Sequence, residues 1–246
     1  MIVYSHYFRV ELVQEDLWLK DRLKPTRSGF NQTLCCMKGT RESIINEVIA
    51  WVADGSASSN TYWLYGSPGI GKTSLAHSIC ETLDERNQLV GLFFCQRDDT
   101  NSSDPRNILP TLLYKLAENS PTFRRIVAER LRSKPTLVTG SMKDTHFLDF
   151  IVSLPGQANE HSLAFVIDAL DECGNSQTRQ DVLKALTDAA ALAPWLKIII
   201  TSRPETDIER FFNGLAGSSH ASYDLGTDQR ASDDLRTFAR DRKSVV

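Results

Sequence analysis

Five short apolar runs divide the chain: TYWLY (61–65), LVGLFF (89–94), LAFVI (163–167), KIIIT (197–201) and a weaker ASYDL (221–225). The first four are nearly continuous rather than alternating, which suits strands covered on both faces of a parallel sheet. Between them the periodicity becomes helical. KTSLAHSICETLDER follows the first run, NILPTLLYKLAENS and PTFRRIVAERLR the second, QTRQDVLKALTDAAALA the third and PETDIERFF the fourth. This alternation predicts an open, doubly wound α/β/α sheet, three layers thick and mostly parallel.

The flanks read less clearly. TRESIINEVIAWV carries Ile44, Ile45, Val48, Ile49 and Val52 at helical spacing, with Thr40 placed to cap it. ADGSASSN is a small polar loop. Residues 1–38 hold an amphipathic patch, ELVQEDLWLKDRL, and a loop-like KPTRSGFNQT. DTHFLDFIVSL could be a helix and PGQANEHS reads as a loop. From 231 the chain begins like an amphipathic helix that soon stops. The organisation expected is a lead-in over 1–38, one domain over 39–230 and the start of a truncated helical segment over 231–246.

Composition narrows the partners. A chain of 246 residues suits one large α/β domain. The formal net charge of −3 supplies no general attraction to nucleic acid or anionic membrane. Arg124, Arg125, Arg130, Arg132 and Lys134 lie among acids and read as a solvated helix face. No apolar run is long enough to cross a bilayer, and the first residues lack a signal-peptide pattern. Cys35, Cys36, Cys80, Cys95 and Cys173 make an odd count without a C-x-x-C pair, so reduced thiols in a cytoplasmic setting are expected. His77, His146 and His161 are isolated, so no zinc site is expected, and Trp51, Trp63 and Trp195 read as packing residues.

The chemistry starts at GSPGIGKT, from Gly66 through Ser67, Pro68, Gly69, Ile70, Gly71 and Lys72 to Thr73, with Ser74 next. It fits G-x-x-x-x-G-K-[ST] at each fixed position, directly after one expected strand and at the start of one expected helix. Gly66 and Gly71 would allow backbone angles that aim consecutive N–H groups at phosphate oxygens. The helix N-terminus would add its unpaired donors. Lys72 would reach the β- and γ-phosphates, and Thr73 would place its hydroxyl on Mg²⁺.

A second cluster, LAFVIDALDEC, puts Asp168 at the tip of an apolar run, where a Mg²⁺ contact belongs in such sheets. Asp171 and Glu172 follow, and one of them could polarise a water; Glu172 is preferred, with Asp171 its rival. In LKIIITSRP the polar tip Thr201, Ser202, Arg203 could read the γ-phosphate, or Arg203 could serve only a surface ion pair. Arg97, in FFCQRDD, could point at the site or merely end its strand.

Together KGTRESIINEVIAWV, YWLYGSPGIGKTSLAHSI, LVGLFFCQRDD, PTLLYKLAENSP, FVIDALDECG and IIITSRPETDIERFF resemble the NACHT domain of fungal NOD-like receptors, of the nephrocystin-3-like N-terminal type. The resemblance runs from about Gly39 onward; DALDEC and TSRPE are its most specific parts. It implies a STAND-class P-loop NTPase that uses ATP or GTP with Mg²⁺ as a signalling switch. It also implies protein partners or self-association, and an extra strand, LVGLFF, between the phosphate-loop and Asp168 strands. By this likeness Thr73 and Asp168 serve Mg²⁺, Asp171 and Glu172 serve hydrolysis, and Arg203 senses the γ-phosphate. Family members continue into helical and winged-helix subdomains that close over the nucleotide. Two other functions fit the residues: a non-hydrolysing nucleotide-binding scaffold and, ranked last, a small-molecule kinase using the 98–106 loop.

Overall fold

In the computed structural model, residues 2–138, 144–154, 162–215 and 219–227 are described, with side chains at these positions apart from 2–12, 138 and 144. Among the described residues five strands form, β1 Thr61–Tyr65, β2 Leu89–Phe94, β3 Leu163–Asp168, β4 Leu196–Ser202 and β5 Ala221–Asp224, each on an expected apolar run. They make one sheet in the order β2-β3-β4-β1-β5, with all pairings parallel.

One expectation changes. The strand lying between the phosphate-loop strand β1 and the Asp168 strand β3 is β4, not LVGLFF. LVGLFF is β2, on the far side of β3 at the sheet edge. Parallel strands are joined by crossovers, so neighbours in sequence need not be neighbours in the sheet.

Strand side chains alternate between the two faces. Phe165, Ile167, Ile198 and Ile200 face one core, while Ala164, Val166 and Ile199 face the other. The first core is covered by α1 (Ile2–Leu23), α4 (Ile108–Asn119), α5 (Pro121–Ser133), α6 (Asp144–Ser153), α7 (Ser176–Leu192) and α8 (Thr206–Gly214). The second is covered by α2 (Glu42–Ala53) and α3 (Lys72–Glu85). Helices thus pack on both faces, as continuous apolar strands require.

The DTHFLDFIVSL segment forms α6 and buries Phe147, Phe150 and Ile151. Thr40 does not cap α2. Its hydroxyl donates to the Met37 carbonyl at 2.7 Å, and α2 starts from Arg41 in a left-handed conformation without a side-chain cap. The lead-in is tied to the domain. Leu19 and Leu23 are buried in the first core. The Thr26 amide donates to Thr111 Oγ1, the Asn31 amide to His77 Nδ1 and the Cys36 amide to Ser78 Oγ, at 2.9, 3.0 and 2.8 Å. His161 and the segment from 231 lie outside the described residues.

Candidate functional site

The phosphate-loop segment leaves β1 at Gly66 and enters α3 at Lys72. Gly69 and Gly71 have φ of +76° and +92°, a region that suits glycine. Gly66 was expected to share that role, but its φ is not positive. Its neighbours approach closely instead. A Cβ there would lie 3.2 Å from Ile70 Cγ2 and 3.3 Å from Leu225 Cβ. Ser67, Pro68 and Gly69 are exposed at the crest of the loop, and Ser74 sits in the first turn of α3. Arg41 Nη2 donates to the Ile70 carbonyl at 3.0 Å and so steadies the loop from α2.

Lys72 lies back along this loop, its Nζ donating to the carbonyls of Gly66 and Ser67 at 2.7 and 3.0 Å. Burial lowers its ammonium pKa, while the Asp171 charge works in the opposite direction. The lysine is already at the loop mouth, held by carbonyls that an anionic ligand can replace.

Asp168 ends β3 and is only 2% exposed. Burial raises its carboxyl pKa, against hydrogen bonds from Thr201 and Thr73. Thr201 Oγ1 donates to Asp168 Oδ1 and also accepts the Ala169 amide at 3.0 Å. A buried carboxylate beside two threonine hydroxyls offers the oxygen ligands that a hard cation takes. The donor set therefore fits Mg²⁺, with Thr73 and Asp168 as the residues that would hold it.

Beyond Asp168 the chain turns through Ala169, with φ of +55°, into a single 3₁₀ turn over Leu170–Glu172. Asp171 is buried there and committed: its Oδ1 accepts the Arg203 amide at 2.9 Å and its Oδ2 pairs with Arg203 Nε at 3.2 Å. Glu172 is more open, with 31% of its side chain exposed, and stands 3.8 Å from Arg203 Nη2. Of the two rival carboxylates, Glu172 is the one left accessible to water.

Arg203, Asp171 and Glu172 are therefore brought together, as are Lys72, Thr73 and Asp168. Ser202 is not part of the group. Neighbouring strand residues face opposite ways, and its hydroxyl accepts Trp63 Nε1–H at 2.8 Å inside the core. Trp63 packs as expected, stacked between Tyr65 and Phe212. His77 is structural, stacked on Phe94 at 4.3 Å.

Arg97 does reach the site region. With Glu172, Arg179 and Glu205 it lines an open polar cavity of about 510 Å³ beside the acidic turn. Sequence reasoning missed Arg41 and Arg179. Arg41 sits within the GTRES start of α2, two residues after Gly39 with its φ of +87°, and that glycine-to-arginine turn was the available signal.

Three solved structures are similar to this chain. A Walker-type ATPase of Pyrococcus abyssi has a TM-score of 0.49 at 15% identity, over 90% of this chain and 63% of that one. Drosophila ORC bound to DNA has 0.45 at 13%, over 89% of this chain and 33% of that one. The replication initiator DnaA bound to AMPPCP and single-stranded DNA has 0.39 at 14%, over 79% of this chain and 51% of that one. The chain thus spans about half the length of DnaA. No match to a curated protein was found. The parallel sheet, with G-x-x-x-x-G-K-[ST] joining a strand to the start of a helix, is by itself the P-loop NTPase arrangement. Residues 39–203 match the family described as "Nephrocystin 3, N-terminal", and the chain belongs to that family.

Proposed function

We propose that this domain is the nucleotide-operated switch of a signalling NTPase, of the NACHT type found in fungal NOD-like receptors. It binds ATP, or GTP, with Mg²⁺ and hydrolyses it slowly. The observation that carries this reading is the convergence of Lys72, Thr73, Asp168, Glu172 and Arg203 at the C-terminal ends of β1, β3 and β4. In open α/β sheets that is where ligands bind.

The geometry supports the following roles. The loop N–H groups between Gly66 and Thr73, of which Pro68 has none, and the N-terminus of α3 donate to the phosphate oxygens. Lys72 exchanges two loop carbonyls for phosphate oxygens. Mg²⁺, when bound, neutralises charge on the phosphates and polarises the terminal one. Glu172 accepts the proton of the attacking water as the γ-phosphate leaves ADP. Arg203 moves from its carboxylates toward the developing charge on the phosphate. The purified chain should turn over ATP slowly, and Glu172→Gln should lower that rate by about a hundredfold or more while binding persists. Undiminished turnover in Glu172→Gln would remove the assignment.

One observation favours a second reading, a nucleotide-binding scaffold without hydrolysis. Arg203 pairs with Asp171 and stands 3.8 Å from Glu172, so it competes with a water for the base. Tight ATP binding with no phosphate release from wild type would select it. Its partners are proteins or further copies of itself in a cytoplasmic setting, and not nucleic acid, on the strength of the −3 charge. Among the described residues no helix is long and apolar enough to cross a membrane.

A further inference from the structure

Arg179 sits in the first turns of α7, close to a helix N-terminus, where a cation opposes the helix dipole. Its surroundings explain why it is there. Nε donates to Asp207 Oδ2 at 2.8 Å, and both side chains are only 13% exposed. Nη1 faces the carbonyls of Asp171, Cys173 and Gly174 at 3.5, 3.3 and 3.4 Å. One guanidinium thus gathers the carbonyl ends of the turn that carries Asp171 and Glu172.

Other contacts also hold that turn: the Asp171 carboxylate takes the Arg203 amide and Nε, the Ala169 amide donates to Thr201 Oγ1, and Leu170 is buried. The turn is bracketed by two left-handed residues, Ala169 at φ +55° and Gly174 at φ +54°. Its far side meets the 102–105 loop, through the Gly174 amide to the Ser103 carbonyl at 2.9 Å and Cys173 Sγ to the Ser102 carbonyl at 3.0 Å. Asp207, the anchor of Arg179, lies in the first turn of α8, shortly after Arg203. Burial alone would raise the Asp207 carboxyl pKa, and the bond from Arg179 brings it below the ordinary range.

We infer that Arg179 is a positioning residue: clamped by Asp207, it sets the acidic turn so that Glu172 faces the terminal phosphate, and it ties that turn to the segment bearing Arg203. The inference rests on the hydrolytic reading above. A lysine cannot replace it, because an ammonium lacks the planar fork that serves a carboxylate and several carbonyls together.

The test uses the purified chain as wild type, Arg179→Met, Arg179→Lys and the milder Asp207→Asn. Three quantities are measured: amide hydrogen exchange over residues 169–175, kcat for ATP hydrolysis, and the Kd for a non-hydrolysable ATP analogue. The expected result is faster exchange in that segment and kcat lower by about tenfold to a hundredfold. Kd stays within about twofold, since the phosphate loop is untouched. Asp207→Asn follows in the same direction, and Arg179→Lys does not restore kcat. Unchanged exchange overturns the clamp. Faster exchange with unchanged kcat, or a Kd weakened as much as kcat, overturns the positioning role. Absence of turnover in wild type removes the hydrolytic reading instead, and exchange alone then decides whether the clamp stands.

Discussion

The two ends of the central strands treat buried charge in opposite ways. At the C-terminal end of β3 and β4, Asp168, Asp171 and Arg203 sit among oppositely charged or donating groups beside an open cavity. At the N-terminal end of β4, Lys197 is fully buried with neutral hydrogen-bond partners. Its Nζ donates to Asn60 Oδ1 at 2.8 Å and lies 4.9 Å from the Trp51 ring centroid. Burial lowers its pKa, and the Asp54 charge offsets that only in part. A charge kept near a cavity is available for chemistry. One sealed in by an amide and an indole is a structural cost that the fold tolerates.

The contrast predicts how substitutions at the two ends diverge. The largest effect is expected for Lys72→Ala, which removes the only lysine at the loop mouth among the described residues. Nucleotide affinity should fall about a hundredfold or more, measured by titration, with the melting temperature nearly unchanged. Next comes Gly174→Ala. An added Cβ would lie 2.4 Å from Pro105 Cγ and 2.6 Å from Thr178 Oγ1, at a φ of +54°. Thermal unfolding should register a loss of about 1–3 kcal/mol, and turnover should drop with it as the acidic turn shifts.

Asp168→Asn should separate stability from function. The raised carboxyl pKa means that burying the charge costs stability once pH rises above the unfolded value, so removing the charge relieves that cost. Without Mg²⁺ the variant should melt at or above the wild-type temperature. The stabilisation that Mg²⁺ with ATP gives wild type should be lost in it, as chelation would show.

The smallest effect is expected for Lys197→Met, within about 1 kcal/mol of wild type or more stable. The sign follows from the lowered pKa. Between the folded value and the ordinary 10.5 the unfolded chain binds more protons, so this lysine costs most at neutral pH. The advantage of Lys197→Met should therefore shrink as pH rises toward 10.5. A large destabilisation at neutral pH would mean that the neutral partners fully compensate the charge.

The strands and the phosphate loop could be read from sequence because each is a local pattern. A buried parallel strand is a short apolar run, and the loop is a fixed spacing. Sheet order is not local, which is why β4 rather than LVGLFF lies between β1 and β3. The α1 helix was obscured because its apolar residues go all round: Leu19 and Leu23 are buried while Val13 and Leu17 are exposed. At the site, the residue types at Asp168, Asp171, Glu172 and Arg203 pointed to the chemistry. Their division of labour did not show, because strand parity decides it at the tip of β4. Thr201 turns to Asp168 while Ser202 turns to Trp63. Arg179 was missed because its partners, a carboxylate 28 residues on at Asp207 and carbonyls of a turn, leave no local mark in the sequence.

The central claim is that this loop and these carboxylates hold a Mg²⁺-bound nucleoside triphosphate. Calorimetric titration of the purified chain with ATP, with and without Mg²⁺, for wild type and Lys72→Ala tests it most directly. The account predicts saturable one-site binding by wild type that weakens without Mg²⁺ and is lost in Lys72→Ala. Equal binding by wild type and Lys72→Ala, or none by wild type with Mg²⁺ present, would contradict it.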